Sequence, residues 1–275
     1  MEQTLIKKEI LEIIESFLLK GNENIIEFSN KLKNKILSKV SITDLMKLIE
    51  STLKEKKIYF LRHAQAEHNV KKGLNSIRIY DSSLTEEGKN QTEKILLLLK
   101  ELDISFDLIF ISPLKRALQT FYCIEKYFTN KNDKVEYICT DLIREALTNK
   151  DKNKGMNLQK LKEYIDSNNI NMNLNFITKD FWWIDSGKFV ENPEPELRKL
   201  FKIRIRIFLL WIIFRFEKNI LLISHSKVNR LLNNKEKVKN SEIIELKYEN
   251  IFNNCVKYFK KELEFNGDKN INKNI

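Results

Sequence analysis

Ile58-Tyr-Phe-Leu-Arg-His-Ala-Gln65 decides how this chain folds. Ile58–Leu61 is a short, unbroken apolar run. A run of that length fits a strand covered on both faces, as in a parallel sheet. Arg62 and His63 stand at its end. In an open α/β sheet, ligands gather beyond the carboxyl ends of the strands. Two residues that bind and attack anions therefore sit where chemistry collects.

The same pattern recurs outward from this point. Leu108–Ile111 reads as a second strand, followed by a helix over Lys115–Phe128. Tyr137–Cys139 reads as a third strand, and Ile220–Ser224 as a strong buried one, with a helix opening near Val228–Leu232. Thr85-Glu86-Glu87 opens a helix that runs to Lys100, and Glu196–Phe216 has the apolar density of a long buried helix. Short strands alternating with helices imply an α/β domain with a mostly parallel central sheet flanked by helices. Residues 148–180 are polar and Asn-rich, with a helix expected around Leu158–Ile165, and form a lid or a substrate-facing insertion.

Residues 1–56 lack strand signals and form an N-terminal helical extension. Leu5, Ile6, Ile10, Ile13, Ile14, Phe17 and Leu18 recur at helical spacing. Ile25, Phe28, Leu32, Ile36 and Leu37 make a second stripe, and Ser41 caps a third helix carrying Leu45, Leu48, Ile49 and Leu53. No catalytic constellation is found there, so these helices either pack on the main domain or form a homo-oligomer contact. The expected division is 1–56 helical extension, 57–265 catalytic domain and 266–275 polar tail.

The 275 residues carry a formal charge of +11, which raises nucleic acid and membrane as partners. The distribution argues against both. The chain has 40 Lys, 9 Arg and 30 Asn, dispersed throughout and without interleaved aromatics. No block of basic residues stands out as a patch, and solvated Lys on helix faces accounts for the charge. The run Ile207–Phe214 is too short to span a bilayer. Cys123, Cys139 and Cys255 have no metal or redox spacing, and Cys123 is expected in the core of its helix. Reduced thiols and the absence of signal-peptide character after Met1 fit a cytoplasmic protein.

Four polar elements follow apolar strands: Arg62-His63, Ser112-Pro113 leading to Arg116, Arg144-Glu145, and His225. Two Arg and two His make an electropositive cluster suited to a phosphoryl group, whose charge is spread over three oxygens during transfer. Arg grips phosphate bidentately where Lys cannot, and Arg at both clamp positions is notable in so Lys-rich a chain. A neutral imidazole can attack phosphorus and a carboxyl group can protonate the departing oxygen. A zinc site on His63, His68 and His225 is disfavoured, because neighbouring Arg would repel the cation.

Leu61-Arg-His-Ala-Gln-Ala-Glu-His-Asn69 resembles the first block of the histidine phosphatase superfamily, the phosphoglycerate mutase-like group. Tyr80-Asp-Ser-Ser-Leu-Thr-Glu-Glu-Gly88, Ser112-Pro-Leu-Lys-Arg-Ala-Leu-Gln-Thr120, Leu142-Ile-Arg-Glu145 and Ile223-Ser-His-Ser226 match later blocks in order. Phe181-Trp-Trp183 and the following long helix are similar to plant and fungal members. The resemblance covers roughly residues 57–265. It implies a three-layer phosphoglycerate mutase-like fold and a metal-independent phosphatase without cofactor, acting on a small-molecule phosphomonoester. It makes His63 the phosphorylated nucleophile, Arg62 and Arg116 the phosphoryl clamp, and His225 the second histidine of the pocket. Asn69 and Ser226 would contact the phosphate, and Glu145 would serve as general acid and then base.

The sequence departs from the family at Ala64, where many members have Gly, and at Lys227, where a small residue is usual. The carboxylate-binding arginines of true mutases are missing after Glu145, as is the Phe-x-Gly-Trp element expected after Asn69. Hydrolysis is thus the leading expectation. Phosphoglycerate mutase activity is the alternative with the same chemistry. A weakly active phosphate-binding or scaffold protein is the alternative of another class.

Overall fold

A computed structural model describes residues 2–20, 31, 33–70, 79–132, 134–148, 151–184, 188, 190, 193–234 and 236–263. Its centre is a five-stranded sheet: β1 (Lys57–Arg62), β2 (Leu108–Ile111), β3 (Glu136–Cys139), β4 (Asn219–Ser224) and β5 (Ile243–Glu245). The spatial order is β3-β2-β4-β1-β5. The first four strands are parallel, and β5 runs antiparallel along β1. The sequence alone does not announce β5, which has two half-buried residues and one exposed, too few to show a period.

Burial explains the apolar runs. Ile58, Tyr59, Phe60 and Leu61 are all buried, because helices cover both faces of the sheet. Alternate residues serve opposite layers. Phe60, Phe110 and Leu222 face one core with the long helix, whereas Leu61, Ile109, Ile111 and Ile223 face the other. In chain order, the longer α-helices among the described residues are α1 (Glu2–Leu19), α2 (Ile42–Lys54), α3 (Glu86–Leu102), α4 (Lys115–Lys131), α5 (Leu158–Asp166), α6 (Arg198–Phe214), α7 (Ser226–Leu232) and α8 (Tyr248–Leu263). The first layer holds α6 with α1, α2 and α8 against it; the second holds α3, α4 and α5.

The N-terminal helices pack on α6. Ile10, Ile14, Leu45 and Ile49 join Phe208 and Trp211 in one core. Glu15 of α1 accepts hydrogen bonds from Trp211 Nε1 at 3.0 Å and Arg215 Nη1 at 3.3 Å. Ser41 caps α2 through its hydroxyl, and Thr85 caps α3 in the same way. Ile25, Phe28 and Leu32 of the second apolar stripe, and the polar tail from 266, lie outside the described residues.

Cys123 is a correction: it is exposed, not part of the core. The inner face of α4 is set by Ala117, Phe121, Ile124 and Phe128, and Cys123 falls opposite it. All three cysteines are free thiols. Among the described residues, no helix is long and apolar enough to cross a membrane.

Candidate active site

Strand register brings the polar residues together. Arg62 pairs with Ser224 and Ile111 with Ile223, so the next residues along β1, β2 and β4 leave the sheet side by side. His63 N–H donates to Ser224 O at 3.0 Å, and Ser112 N–H to Ile223 O at 3.1 Å. His63 and His225 therefore meet with ring centroids 5.1 Å apart, and His68 lies 5.8 Å from His63 on the other side.

Hydrogen bonding fixes the tautomer of His63. Its Nδ1 lies 2.8 Å from the Ala64 carbonyl oxygen, which can only accept, so Nδ1 carries the proton. Its Nε2 accepts from Nε–H of Arg116 at 3.3 Å, so Nε2 holds the lone pair. Burial, then the charge of Arg116 and the neighbouring His68, hold the His63 pKa well below the ordinary histidine value. The ring is neutral at physiological pH. His225 is likewise kept neutral, by burial and then by Arg116 and His63, and its Nε2 lies 2.7 Å from Ser112 Oγ.

Arg116 is fully buried at the start of α4. Burial draws its pKa down to about 10, with Asp81 and Glu145 opposing, and it stays cationic. Its Nη1 donates to Lys152 O at 2.7 Å and its Nη2 to Asn153 Oδ1 at 3.1 Å. Arg62 is half-buried and donates through Nη1 to Val238 O at 2.9 Å. Two buried nitrogens at the site, Arg62 Nε and His225 Nδ1, have no hydrogen-bond partner.

Glu145 follows directly from a buried network. Glu196 bridges Arg144 at 3.4 Å and Arg204 at 2.8 Å. Burial alone would raise the Glu196 pKa, but Arg204 and Arg144 outweigh it and hold the carboxyl at about 2. Arg204 Nη1 also donates to Leu142 O and Arg144 O, so the loop before Glu145 is tied to α6. The Glu145 carboxylate accepts from Ala146 N–H at 2.9 Å and from Lys227 N–H, at the start of α7, at 3.4 Å. Arg144 is thus structural.

Other expected residues are placed less directly. Asn69 is exposed. Its Oδ1 accepts from Ala66 N–H, and its Nδ2 lies 3.2 Å from His68 Nε2. Ser226 is the first residue of α7. Three residues without an assigned role from sequence help build the site. Asn153 holds Arg116 and also donates to Ala146 O at 2.9 Å. Asn240 donates to His63 O at 2.9 Å and steadies the loop after β1. Asp81 is buried and accepts from Lys115 N–H at 2.9 Å; burial pushes its pKa up to about 6. Only Asp81 sat in a recognised block. No group of His, Cys, Asp and Glu among the described residues is placed to hold a metal ion.

Residues 58–164 match the sequence model of the histidine phosphatase superfamily (branch 1). A broad-specificity phosphatase of Saccharomyces cerevisiae is 35% identical over 81 residues, 30% of this chain and 34% of that one. A probable phosphatase of Schizosaccharomyces pombe is 34% identical over 117 residues, 42% of this chain and 39% of that one. The chain spans between 34% and 39% of the length of the curated relatives it matches. Among solved structures, a phosphoglycerate mutase from Bacillus anthracis aligns over 74% of this chain and 96% of its own, with 17% identity and a TM-score of 0.44.

Proposed function

We propose that this chain is a metal-independent phosphatase that hydrolyses a phosphomonoester through a phosphohistidine on His63. The observation that carries the reading is the His63 tautomer: a buried neutral imidazole whose Nε2 lone pair faces Arg116. The lone pair attacks phosphorus, the ester P–O bond breaks, and the departing oxygen takes the proton of Glu145. Charge that develops on the ring is stabilised through Nδ1–H to Ala64 O. Water then attacks the phosphohistidine and gives its proton to Glu145, which releases inorganic phosphate and restores His63.

In this reading Arg62, Arg116 and His225 hold the phosphoryl oxygens, and Asn69 and Ser226 add contacts to them. Buried cationic donors of this kind stabilise the oxygens of the transferring group. The unpartnered Arg62 Nε favours an oxygen-rich ligand there, since a buried donor left unpaired is costly; His225 Nδ1 adds a second donor in the tautomer in which Ser112 Oγ–H donates to Nε2. Three free cysteines agree with a cytoplasmic setting. Hydrolysis is favoured over mutase chemistry because the carboxylate-holding arginines are missing after Glu145.

The test is chemical trapping. Wild-type protein quenched in denaturant at alkaline pH after a pulse of labelled phosphomonoester should carry a base-stable, acid-labile phosphoryl group, and His63→Ala should carry none. Hydrolysis by the wild type without any such adduct would falsify the mechanism. Transfer of label to a second substrate hydroxyl, in place of release, would identify a mutase.

A further inference from the structure

The fold gathers basic residues that the sequence disperses. A cleft of about 810 Å³ opens between α6, α7 and α8, beside residues 146–148. Arg198, Lys202 and Arg206 line it from one stripe of α6, and Lys227 and Arg230 from one face of α7. Helical spacing hides such a patch in a linear reading, because intervening residues face elsewhere.

The pairing of the arginines sets the cleft apart. Among the described residues, Arg144, Arg204 and Arg215 are bound to carboxylates and have structural roles. Among the described residues, Arg198, Arg206 and Arg230 have no carboxylate within ion-pair distance, and Arg206 Nε is buried with no hydrogen-bond partner. Among the described residues lining the cleft, Glu196 is the one acid, and it is engaged by Arg144 and Arg204. Unpaired guanidinium groups clustered in a concavity repel each other and focus a positive potential that an anion relieves. Three of the chain's nine arginines stand here in a protein with 40 lysines, which suits bidentate recognition of phosphate.

Position connects the cleft to the reaction. The Glu145 carboxylate is held by the N–H groups of Ala146 and Lys227, and both residues line the cleft. A group that protonates the departing oxygen must lie on the leaving-group side of the phosphorus. The leaving group therefore extends past Glu145 toward these cations. We propose that the cleft binds a second phosphate on the leaving group, so that the substrate is a small molecule bearing two or more phosphates. One phosphate occupies the His63 cage, and another lies among Arg198, Arg206, Lys227 and Arg230. This inference rests on the roles given above to His63 and Glu145.

The test uses two probes and an Arg198→Gln/Arg230→Gln double variant; both side chains are exposed, so the fold should survive. At about 0.15 M salt, where long-range attraction is screened, calorimetric titration should show tripolyphosphate binding to wild type and to His63→Ala. The double variant should bind it about tenfold more weakly, which corresponds to about 1.4 kcal/mol. In turnover, kcat/KM for fructose 1,6-bisphosphate should exceed that for fructose 1-phosphate, and the double variant should shrink that ratio about tenfold. Equal tripolyphosphate affinity in wild type and double variant would overturn the cleft, as would an unchanged ratio of the two substrates. No turnover of either sugar phosphate, with binding still dependent on Arg198 and Arg230, would overturn the His63 reading and the leaving-group assignment together.

Discussion

Nε–H of Arg116 donates to Nε2 of His63 across 3.3 Å, with both side chains buried. In the proposed mechanism one arginine thus orients the attacking lone pair and receives the charge that the attack moves. One N–H of Nη1 is held by Lys152 O and one of Nη2 by Asn153 Oδ1, which fixes the plane of the guanidinium. Lysine keeps the charge but has neither the plane nor the fork. Arg116→Lys should lower kcat/KM on p-nitrophenyl phosphate by about 10²-fold, the usual cost of one preorganised donor. Wild-type kinetics in that variant would remove Arg116 from the clamp.

Glu145 should matter in proportion to the leaving group's need for a proton. Alkyl alcohols leave poorly unless protonated, whereas p-nitrophenolate leaves without help. Glu145→Gln should slow alkyl phosphate hydrolysis by about 10² to 10⁴-fold and p-nitrophenyl phosphate hydrolysis much less. A Brønsted plot over a series of aryl and alkyl esters measures the difference. Parallel losses across the series would point to a positioning role for Glu145.

Asn153 shows where the sequence stops being informative. The strand ends, the cap at Thr85 and the residues His63, Arg62, Arg116 and His225 could be read because apolar runs announce strands and polar residues follow them. Asn153 lies in a polar, Asn-rich stretch where nothing distinguishes it from its neighbours. Tertiary packing folds that stretch over α4, so that Asn153 joins Arg116 to the loop of Glu145. The basic cleft escaped for a related reason: its cations come from two helices and meet only after folding. Asn153→Ala should lower kcat about tenfold with a smaller change in KM, as expected for a group that aims a donor without touching substrate. Asn153→Asp should restore part of the loss by keeping the acceptor. A uniform loss in both variants would mark Asn153 as merely structural.

The two buried histidines set the acid limit of stability. Burial and then Arg116 hold both below the ordinary value of about 6.5. Above that pH both folded and unfolded chains carry them neutral, and they contribute nothing. Below it the unfolded chain takes up protons that the folded chain refuses, so stability falls by about 1.4 kcal/mol per pH unit for each histidine. Asp81, raised to about 6, acts with the opposite sign. Between its ordinary pKa and about 6, the folded chain binds the extra proton and gains stability as pH falls. Urea unfolding at pH 7.5 and 5.5 should therefore show a net fall in wild type, a steeper one in Asp81→Asn and a shallower one in His63→Asn. A fall of the same size in all three would separate these groups from the acid sensitivity.

Gly88 gives the site a requirement that can be tested far from any titration. It is buried in the first turn of α3, where its N–H donates to the Thr85 cap at 3.0 Å. A Cβ added there would lie 2.0 Å from Gln65 O and 3.0 Å from Gln65 C. Gln65 is two residues after His63, and its carbonyl also accepts from Thr85 N–H at 3.0 Å. Alanine therefore cannot be relieved by rotating a side chain; the backbone after β1 must move, and the Ala64 carbonyl that fixes the His63 tautomer moves with it. Overpacking of this kind costs about 1–3 kcal/mol. Gly88→Ala should lower the urea midpoint by a corresponding amount, and at temperatures where it stays folded its kcat should still fall. A variant that loses stability and keeps full kcat would show that the loop after His63 tolerates the shift, and that the tautomer is held from elsewhere.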